Sequence, residues 1–149
     1  MRLVPSSLEA ITRQAVAEYP SECCGIITGA GTSQRVHACR NRQDELHARD
    51  PEQHPRTSRE AYDIDRAEME RIFADASSRG EQVLAFYHSH IDCGAYFSDM
   101  DKEVLTVFGE PEFPGAVHIV VSVREGKTGE IKGYRWDAAS ENFFAVEVA

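Results

Sequence analysis

The chain has 149 residues, a length that fits one domain able to bury about 70% of its unfolded surface. Its formal net charge of −9, with no opposing cluster of lysine and arginine, repels phosphate backbones and excludes nucleic acid as an expected partner. No apolar run approaches the ~20 residues of a membrane span, and residues 1–5 break before a signal-peptide core could form, so we expect a cytoplasmic protein with reduced cysteines.

The N-terminal third predicts a helix followed by a β-hairpin. Ser6 and Glu9 have the spacing of a helix capping box, and the Tyr19-Pro20 step ends the helix. Strands are predicted at residues 23–28 and 35–38, joined by a glycine-containing turn. The apolar face of the helix consists of Leu8, Ile11, Ala15 and Val16.

Residues 41–60 are almost without apolar side chains and contain Pro51 and Pro55. A stretch of this length without periodicity predicts a polar insertion loop that acts as a lid or an interaction segment, or that is disordered. We expect it to contribute to substrate binding or access more than to folding. Its two histidines, His47 and His54, are expected to be solvated.

The rest of the chain predicts alternating helices and strands. Asp65 precedes a helix that ends at Gly80 and carries apolar residues on one face. The order of the elements predicts a single α/β domain, residues 1–149, in which helices flank a mixed β-sheet. Further strands are predicted at residues 83–87, 117–123, 130–136 and 143–148, and a further helix at residues 99–108.

The most informative segment begins at His88 and ends at Asp101. His88 and His90 follow an apolar strand two residues apart, so their side chains point to one face and can bind one ion. Asp101 supplies a third ligand from the start of the next element. Three protein ligands and a water molecule are typical of a catalytic zinc site, whereas structural zinc is usually closed by four ligands. Two imidazoles and a carboxylate also suit iron or manganese.

Several residues of this region have alternative interpretations. Ser98-x-x-Asp101 also matches a helix capping box, and both functions can hold at once. Cys93 lies three residues after His90 and could reach the metal, although a loop thiol is the simpler interpretation. His118, within a β-branched run, is most simply a histidine of the sheet, and His37 has no neighbouring ligand pattern.

The pattern His-Ser-His, seven residues, Ser-x-x-Asp resembles the signature of the JAMM or MPN-plus zinc metalloproteases. This family includes ubiquitin isopeptidases and small bacterial enzymes acting on sulfur-carrier proteins. It also has an upstream glutamate, and residues 20–29, which contain Glu22, resemble that segment. The resemblance implies a JAMM/MPN-like fold and a zinc ion on the three ligands. It also implies that Glu22 is the general acid–base and that Ser98 donates a hydrogen bond to the oxyanion.

The loop between the ligands differs from the family pattern. Ile91, Gly94 and Phe97 stand where many relatives have proline. Proline fixes φ and glycine frees it, so these substitutions leave the stiffness of the loop and the shape of the substrate-binding surface open.

Three classes of function remain. The favoured one is a zinc peptidase or isopeptidase that cleaves after the Gly-Gly tail of a ubiquitin-like or sulfur-carrier protein. A small-molecule zinc amidohydrolase or deaminase is the second, although the Pro-Cys-x-x-Cys half of the deaminase motif is absent. A non-catalytic scaffold is the third, but relatives of that kind generally lack the ligands that this chain has.

Overall fold

The computed structural model describes residues 1–149 and contains four helices and eight strands. Six strands form one sheet in the order β2-β1-β3-β6-β7-β8, and β4 and β5 form a separate two-stranded sheet. In chain order the elements are α1 (Pro5–Glu18), β1 (Cys24–Ala30), β2 (Ser33–Cys39), α2 (Gln43–Arg49), α3 (Arg66–Ser78), β3 (Gln82–Ile91), α4 (Asp99–Leu105), β4 (Thr106–Val107), β5 (Glu110–Pro111), β6 (Val117–Arg124), β7 (Lys127–Asp137) and β8 (Asn142–Val146).

The large sheet is mixed, as the sequence predicts. β3 and β6 pair in parallel at its centre, and the other neighbouring strands pair antiparallel. A parallel pair needs a crossover connection, which here contains α4 and the small sheet. α1 contacts β2, β6 and β7, and α3 contacts β3. The predicted fold class, an α/β domain in which helices flank a mixed sheet, is therefore confirmed.

Side-chain alternation along β3 divides the core into two clusters. Tyr87 belongs to the larger cluster, which includes apolar residues of α1. Ser89, two residues later, is buried on the same face of the sheet. Phe86 belongs to the smaller cluster, which packs against α3. Because side chains two apart on a strand share a face, His88 and His90 lie on the same side of the sheet as Phe86.

The first helix begins one residue earlier than its predicted cap. Pro5 occupies the first helical turn, where its fixed φ and missing N–H are tolerated, so the capping box predicted at Ser6 is wrong. Ile11 and Ala15 are fully buried, as predicted. Val16 is 45% exposed, so its assignment to the buried face is wrong.

The segment 41–60 is more ordered than predicted. It begins with α2, and its Gln43 and Ser58 are buried, so the interpretation of the whole segment as a structureless loop is wrong. The Asp44 carboxylate accepts hydrogen bonds from the Ser58 amide at 2.7 Å and the Ser58 hydroxyl at 2.8 Å. The His47 Nδ1 lies 2.8 Å from the His54 carbonyl oxygen. Tertiary hydrogen bonds therefore replace the apolar contacts that the segment lacks.

The end of the fourth helix also differs from the prediction. α4 stops at Leu105, and the chain then forms the β4–β5 hairpin, which reverses at Phe108 and Gly109 with φ of 51° and 79°. At the start of α3, Asp65 occupies the predicted N-cap position but makes no capping hydrogen bond. Its carboxylate pairs instead with Arg42 at 3.2 Å. No helix of the protein has both the length and the apolar character needed to cross a membrane.

We expect Asp44→Ala to lower the free energy of unfolding by about 1 kcal/mol, because two hydrogen bonds to an exposed carboxylate are lost. Hydrogen bonds from the Ser58 amide and then its hydroxyl lower the pKa of Asp44. This contribution is therefore present above the ordinary carboxyl pKa and is lost as pH falls through the lowered value. Urea unfolding at several pH values measures it. Asp50→Ala is the control, because the Asp50 carboxylate accepts only one longer hydrogen bond, from the Gln53 amide. Equal losses of unfolding free energy in the two variants would contradict the assignment.

Candidate metal centre

Donor atoms of three side chains from two elements, β3 and α4, lie close together. His88 Nε2 lies 3.2 Å from His90 Nε2 and 3.1 Å from Asp101 Oδ1, and His90 Nε2 lies 3.2 Å from Asp101 Oδ2. Ligand atoms held about 2.0–2.2 Å from a tetrahedral ion are separated from one another by about 3.3 Å. All three side chains are buried. The triangle therefore has the dimensions of a site for one metal ion with a fourth position open.

The capping box of α4 holds Asp101 in this triangle. The Ser98 Oγ accepts a hydrogen bond from the Asp101 amide, and the Asp101 Oδ2 accepts one from the Ser98 amide, both at 3.0 Å. The predicted capping box is confirmed. Because it fixes the carboxylate at the third helical position, the same contacts that start the helix also turn Asp101 toward the histidines.

Neighbouring groups orient the two imidazole rings. His90 Nδ1 lies 3.0 Å from the Gly94 carbonyl oxygen, so this nitrogen carries the proton and donates it, which leaves the Nε2 lone pair free for a metal. The His88 ring stacks on Tyr62 with centroids 4.5 Å apart and an interplanar angle of 23°. Tyr96 contacts the edge of His90 at 4.9 Å. Each ring is thus fixed in plane before any ion binds.

Hydrogen bonds to β3 fix the position of Glu22. The next residue, Cys23, donates its amide to Ser89 Oγ at 2.7 Å, and Cys23 O accepts from the Ser89 amide at 3.0 Å. The Glu22 amide donates to Ser58 O at 2.7 Å, and Glu22 O accepts from Asn41 at 2.9 Å. Sequence reasoning missed Ser89, Ser58 and Asn41, because each acts through the backbone of a residue distant in the chain.

A cavity of about 250 Å³ opens beside the ligand triangle. The Glu22 carboxyl group lines it and has no protein hydrogen-bond partner. The Ser98 hydroxyl accepts a hydrogen bond but has no protein acceptor for its own proton, which leaves that proton free to be donated into the cavity. The other lining residues are Arg59, Glu60, His90, Ile91, Cys93, Tyr96, Met100 and Asp101. The structure therefore brings together all five residues that the sequence singled out.

The two carboxyl groups of the site have opposite shifts in pKa. Burial raises the pKa of Asp101, but the charge of His88 and hydrogen bonds from His88, His90 and the Ser98 amide outweigh burial and hold it well below its usual range. Burial, followed by the charges of Asp101 and Glu60, raises the pKa of Glu22 to about 9. Without a cation, Asp101 is therefore ionised and Glu22 keeps its proton at neutral pH.

Packing takes the place of proline in the loop between the ligands. Phe97 contacts Phe143 and Tyr134 with ring centroids 4.7 and 5.0 Å apart. The Tyr134 hydroxyl donates to the Ala95 carbonyl oxygen at 2.7 Å. The hydroxyl of Ser122, on β6, donates to the Cys93 carbonyl oxygen at 2.5 Å. The loop is therefore held by β6, β7 and β8, although it lacks the prolines of the family pattern.

The remaining histidines and Cys93 do not join the ligand group. Only His88, His90 and Asp101 have donor atoms within 4.8 Å of one another. His118 is a buried sheet residue, as predicted, and its Nδ1 has no hydrogen-bond partner. Burial and then the charge of His88 lower the pKa of His118 to about 4, so its ring is neutral.

Residues 5–137 match the family described as prokaryotic homologs of the JAB domain. The CysO-cysteine peptidase of Mycobacterium tuberculosis is 27% identical over 133 residues, which cover 86% of this chain and 77% of that protein. The desampylase of Haloferax volcanii is 27% identical over 140 residues, which cover 89% of this chain and 84% of that protein.

Two further comparisons are more limited. Tail tip assembly protein K of Escherichia phage N15 is 34% identical over 96 residues, and this chain spans only 32% of its length. The crystal structure of a JAB1/MPN domain protein from Archaeoglobus fulgidus superposes with a TM-score of 0.53 at 17% identity, covering 95% of this chain and 88% of that one. At this identity the similarity shows the fold alone, which is the JAMM/MPN-like fold that the motif implies.

We expect the protein to bind close to one divalent ion per chain. His88→Ala, His90→Ala and Asp101→Ala should each largely abolish binding, because three protein ligands are the minimum for such a site. Elemental analysis after zinc loading and desalting measures the content. His54→Ala, outside the triangle, is the control. Full occupancy in a double variant lacking both His88 and His90 would contradict the site.

We expect metal-free Glu22→Gln to be more stable than metal-free wild type by a margin that grows as pH rises from 4.5 to about 9. Folding raises the pKa of this carboxyl group, so as pH rises the unfolded chain loses the proton before the folded chain does. The rise in pH therefore destabilises the folded state of the wild type. Urea unfolding in a chelator across this pH range measures the margin. Glu52→Gln, at an exposed position of the segment 41–60, is the control. A constant margin for Glu22→Gln would mean that this carboxyl titrates normally.

Proposed function

Because the chain belongs to the family of prokaryotic homologs of the JAB domain, we propose that it is a zinc-dependent peptidase or isopeptidase. Its substrate would be the amide bond that follows the C-terminal tail of a ubiquitin-like or sulfur-carrier protein. The observation that carries the proposal is the ligand triangle of His88, His90 and Asp101, with Glu22 and Ser98 facing the same cavity.

His88, His90 and Asp101 would hold the zinc ion. When bound, zinc polarises a carbonyl group and lowers the pKa of a water molecule to about 7. The three ligand side chains are buried, so little water surrounds them. The lower local dielectric constant strengthens these electrostatic effects. The ionised Asp101 supplies the negative charge that favours a cation over a neutral ligand.

Glu22 would act as the general acid–base. Its carboxyl group faces the cavity without a protein partner, so it can take a proton from the attacking water and deliver it to the leaving amine nitrogen. Burial and the Asp101 charge raise the pKa of Glu22, and a bound cation opposes that effect. A carboxyl group under these two influences can exchange a proton near neutral pH.

Ser98 would stabilise the oxyanion. Its backbone is fixed at the N-cap of α4, while its hydroxyl proton is unused by the protein. A hydroxyl held in this way can donate to the developing charge on the substrate carbonyl, and loss of one such donor can cost about 10²–10³ in rate.

The names of relatives support the class of substrate. One is named a CysO-cysteine peptidase, and another a desampylase. A cavity of about 250 Å³ admits a tail without side chains, such as Gly-Gly, better than a bulky segment. The proposal includes a cytoplasmic location, which the four free cysteines favour, and no interaction with nucleic acid.

We expect Glu22→Gln to keep the fold and the zinc but to lose hydrolysis, since the amide cannot accept the proton while its size is nearly unchanged. Ser98→Ala should also keep the zinc and lose less activity, about 10²–10³-fold, because only one oxyanion donor is removed. Zinc content and turnover of a carrier-protein conjugate are measured for both variants, with Glu52→Gln as the control.

Near wild-type turnover in zinc-loaded Glu22→Gln would show that the base lies elsewhere. Turnover of small amides but of no carrier conjugate by wild type would favour a small-molecule amidohydrolase. Absence of any hydrolysis would favour a scaffold.

A further inference from the structure

The cavity at the ligand triangle contains a single arginine among several acids. Glu22, Glu60 and Asp101 contribute carboxyl groups to its wall, and Arg59 is the only lysine or arginine there. None of the steps described above uses Arg59. A permanent cation in an acidic cavity is suited to bind a negative group of the substrate.

Arg59, which lines the cavity, has one ion pair with a neighbouring carboxylate. Its Nη2 lies 3.4 Å from Asp92 Oδ2, a long single contact, and its side chain is 59% exposed. Asp92 is already engaged, because its carboxylate accepts from the Tyr19 hydroxyl at 3.0 Å and from the Glu125 amide at 2.9 Å. A guanidinium group has five N–H donors. Most of those of Arg59 are therefore free to bind a ligand.

The position of Arg59 in the chain associates it with the leaving group. Its neighbour Ser58 accepts a hydrogen bond from the Glu22 amide and is fixed by Asp44. Glu22 is the residue that would protonate the leaving amine. Arg59 therefore directly follows the residue that holds the Glu22 backbone, and both Arg59 and Glu22 line the cavity.

The chemistry of the leaving group determines what this cation can recognise. In an isopeptide the lysine Nε is a neutral amide, and only methylene groups follow it. When a free amino acid is attached through its amino group, its carboxylate is bonded to the carbon next to that nitrogen. Such a carboxylate would face the acids of the cavity and be repelled unless a cation accompanied it. A guanidinium fork matches a carboxylate by two parallel hydrogen bonds.

We propose that Arg59 binds the α-carboxylate of a single amino acid attached to the carrier tail, so that this site prefers carrier–amino-acid conjugates over isopeptides. The inference rests on the proposed function and specifies its substrate. Hydrolysis adds water across the amide: the hydroxyl goes to the carbonyl carbon of the tail and the proton to the nitrogen. The products are the carrier with a free Gly-Gly carboxylate and a free amino acid.

The test compares two conjugates of one bacterial sulfur-carrier protein whose Gly-Gly tail is extended by alanine. One has a free α-carboxylate and the other an α-carboxamide. Zinc-loaded wild type should hydrolyse the carboxylate conjugate with a kcat/KM about 10–100-fold higher, the usual value of a hydrogen-bonded charge. In Arg59→Gln the ratio should fall to near one. Arg56→Gln, three residues earlier and outside this cavity, should keep the wild-type ratio.

Each result has a distinct meaning. If wild type hydrolyses the two conjugates with nearly equal kcat/KM, the role of Arg59 is overturned whether or not the variant folds. The role is also overturned if Arg59→Gln has normal zinc content and keeps the wild-type preference for the carboxylate conjugate. In both cases hydrolysis of the conjugates leaves the proposed function standing. Absence of hydrolysis of both conjugates, and of a carrier–lysine isopeptide, by zinc-loaded wild type overturns the proposed function and this inference together.

Discussion

The two hydrogen bonds between Ser89 and Cys23 are the constraint on which the site depends. They join the residue before β1 to the end of β3, and the Ser89 side chain, which makes one of them, lies on the face of the sheet opposite to the two histidines. Strand alternation then sends His88 and His90 to the other face, while Glu22, one residue before Cys23, reaches the same cavity. The central serine of His-Ser-His thus sets the distance between the candidate base and the ligands.

Charge explains why this arrangement suits a cation. The structure buries an ionised Asp101 near the Glu22 carboxyl group, and the charge of Asp101 disfavours ionisation of Glu22. Two imidazole nitrogens 3.2 Å apart complete the set of donor atoms in the same small volume. A divalent ion at the centre of the triangle would offset the charge of Asp101, and it would lower the pKa of Glu22 toward the range useful for proton transfer.

Local sequence signals predicted much of the site, and long-range contacts account for what they missed. The grouping of the three candidate ligands was predictable, because strand alternation puts His88 and His90 on one face and a capping box fixes Asp101 beside them. The mixed sheet followed from the order of apolar runs. In contrast, α2 carries no apolar stripe and depends on hydrogen bonds from Ser58 to Asp44, and Phe97 is held by residues of β7 and β8. Neither contact leaves a periodic pattern in the sequence.

We propose above that one bound zinc ion enables the protein to hydrolyse its substrate in this cavity. The most direct test of this claim removes metal from the wild-type protein with a chelator, returns zinc in steps and follows hydrolysis of a carrier-protein conjugate at each step. We expect activity to be absent at the start, to rise in proportion to zinc and to reach its plateau near one zinc per chain, because the triangle holds one ion. Full turnover by the metal-free protein, or a plateau only at several ions per chain, would contradict the claim.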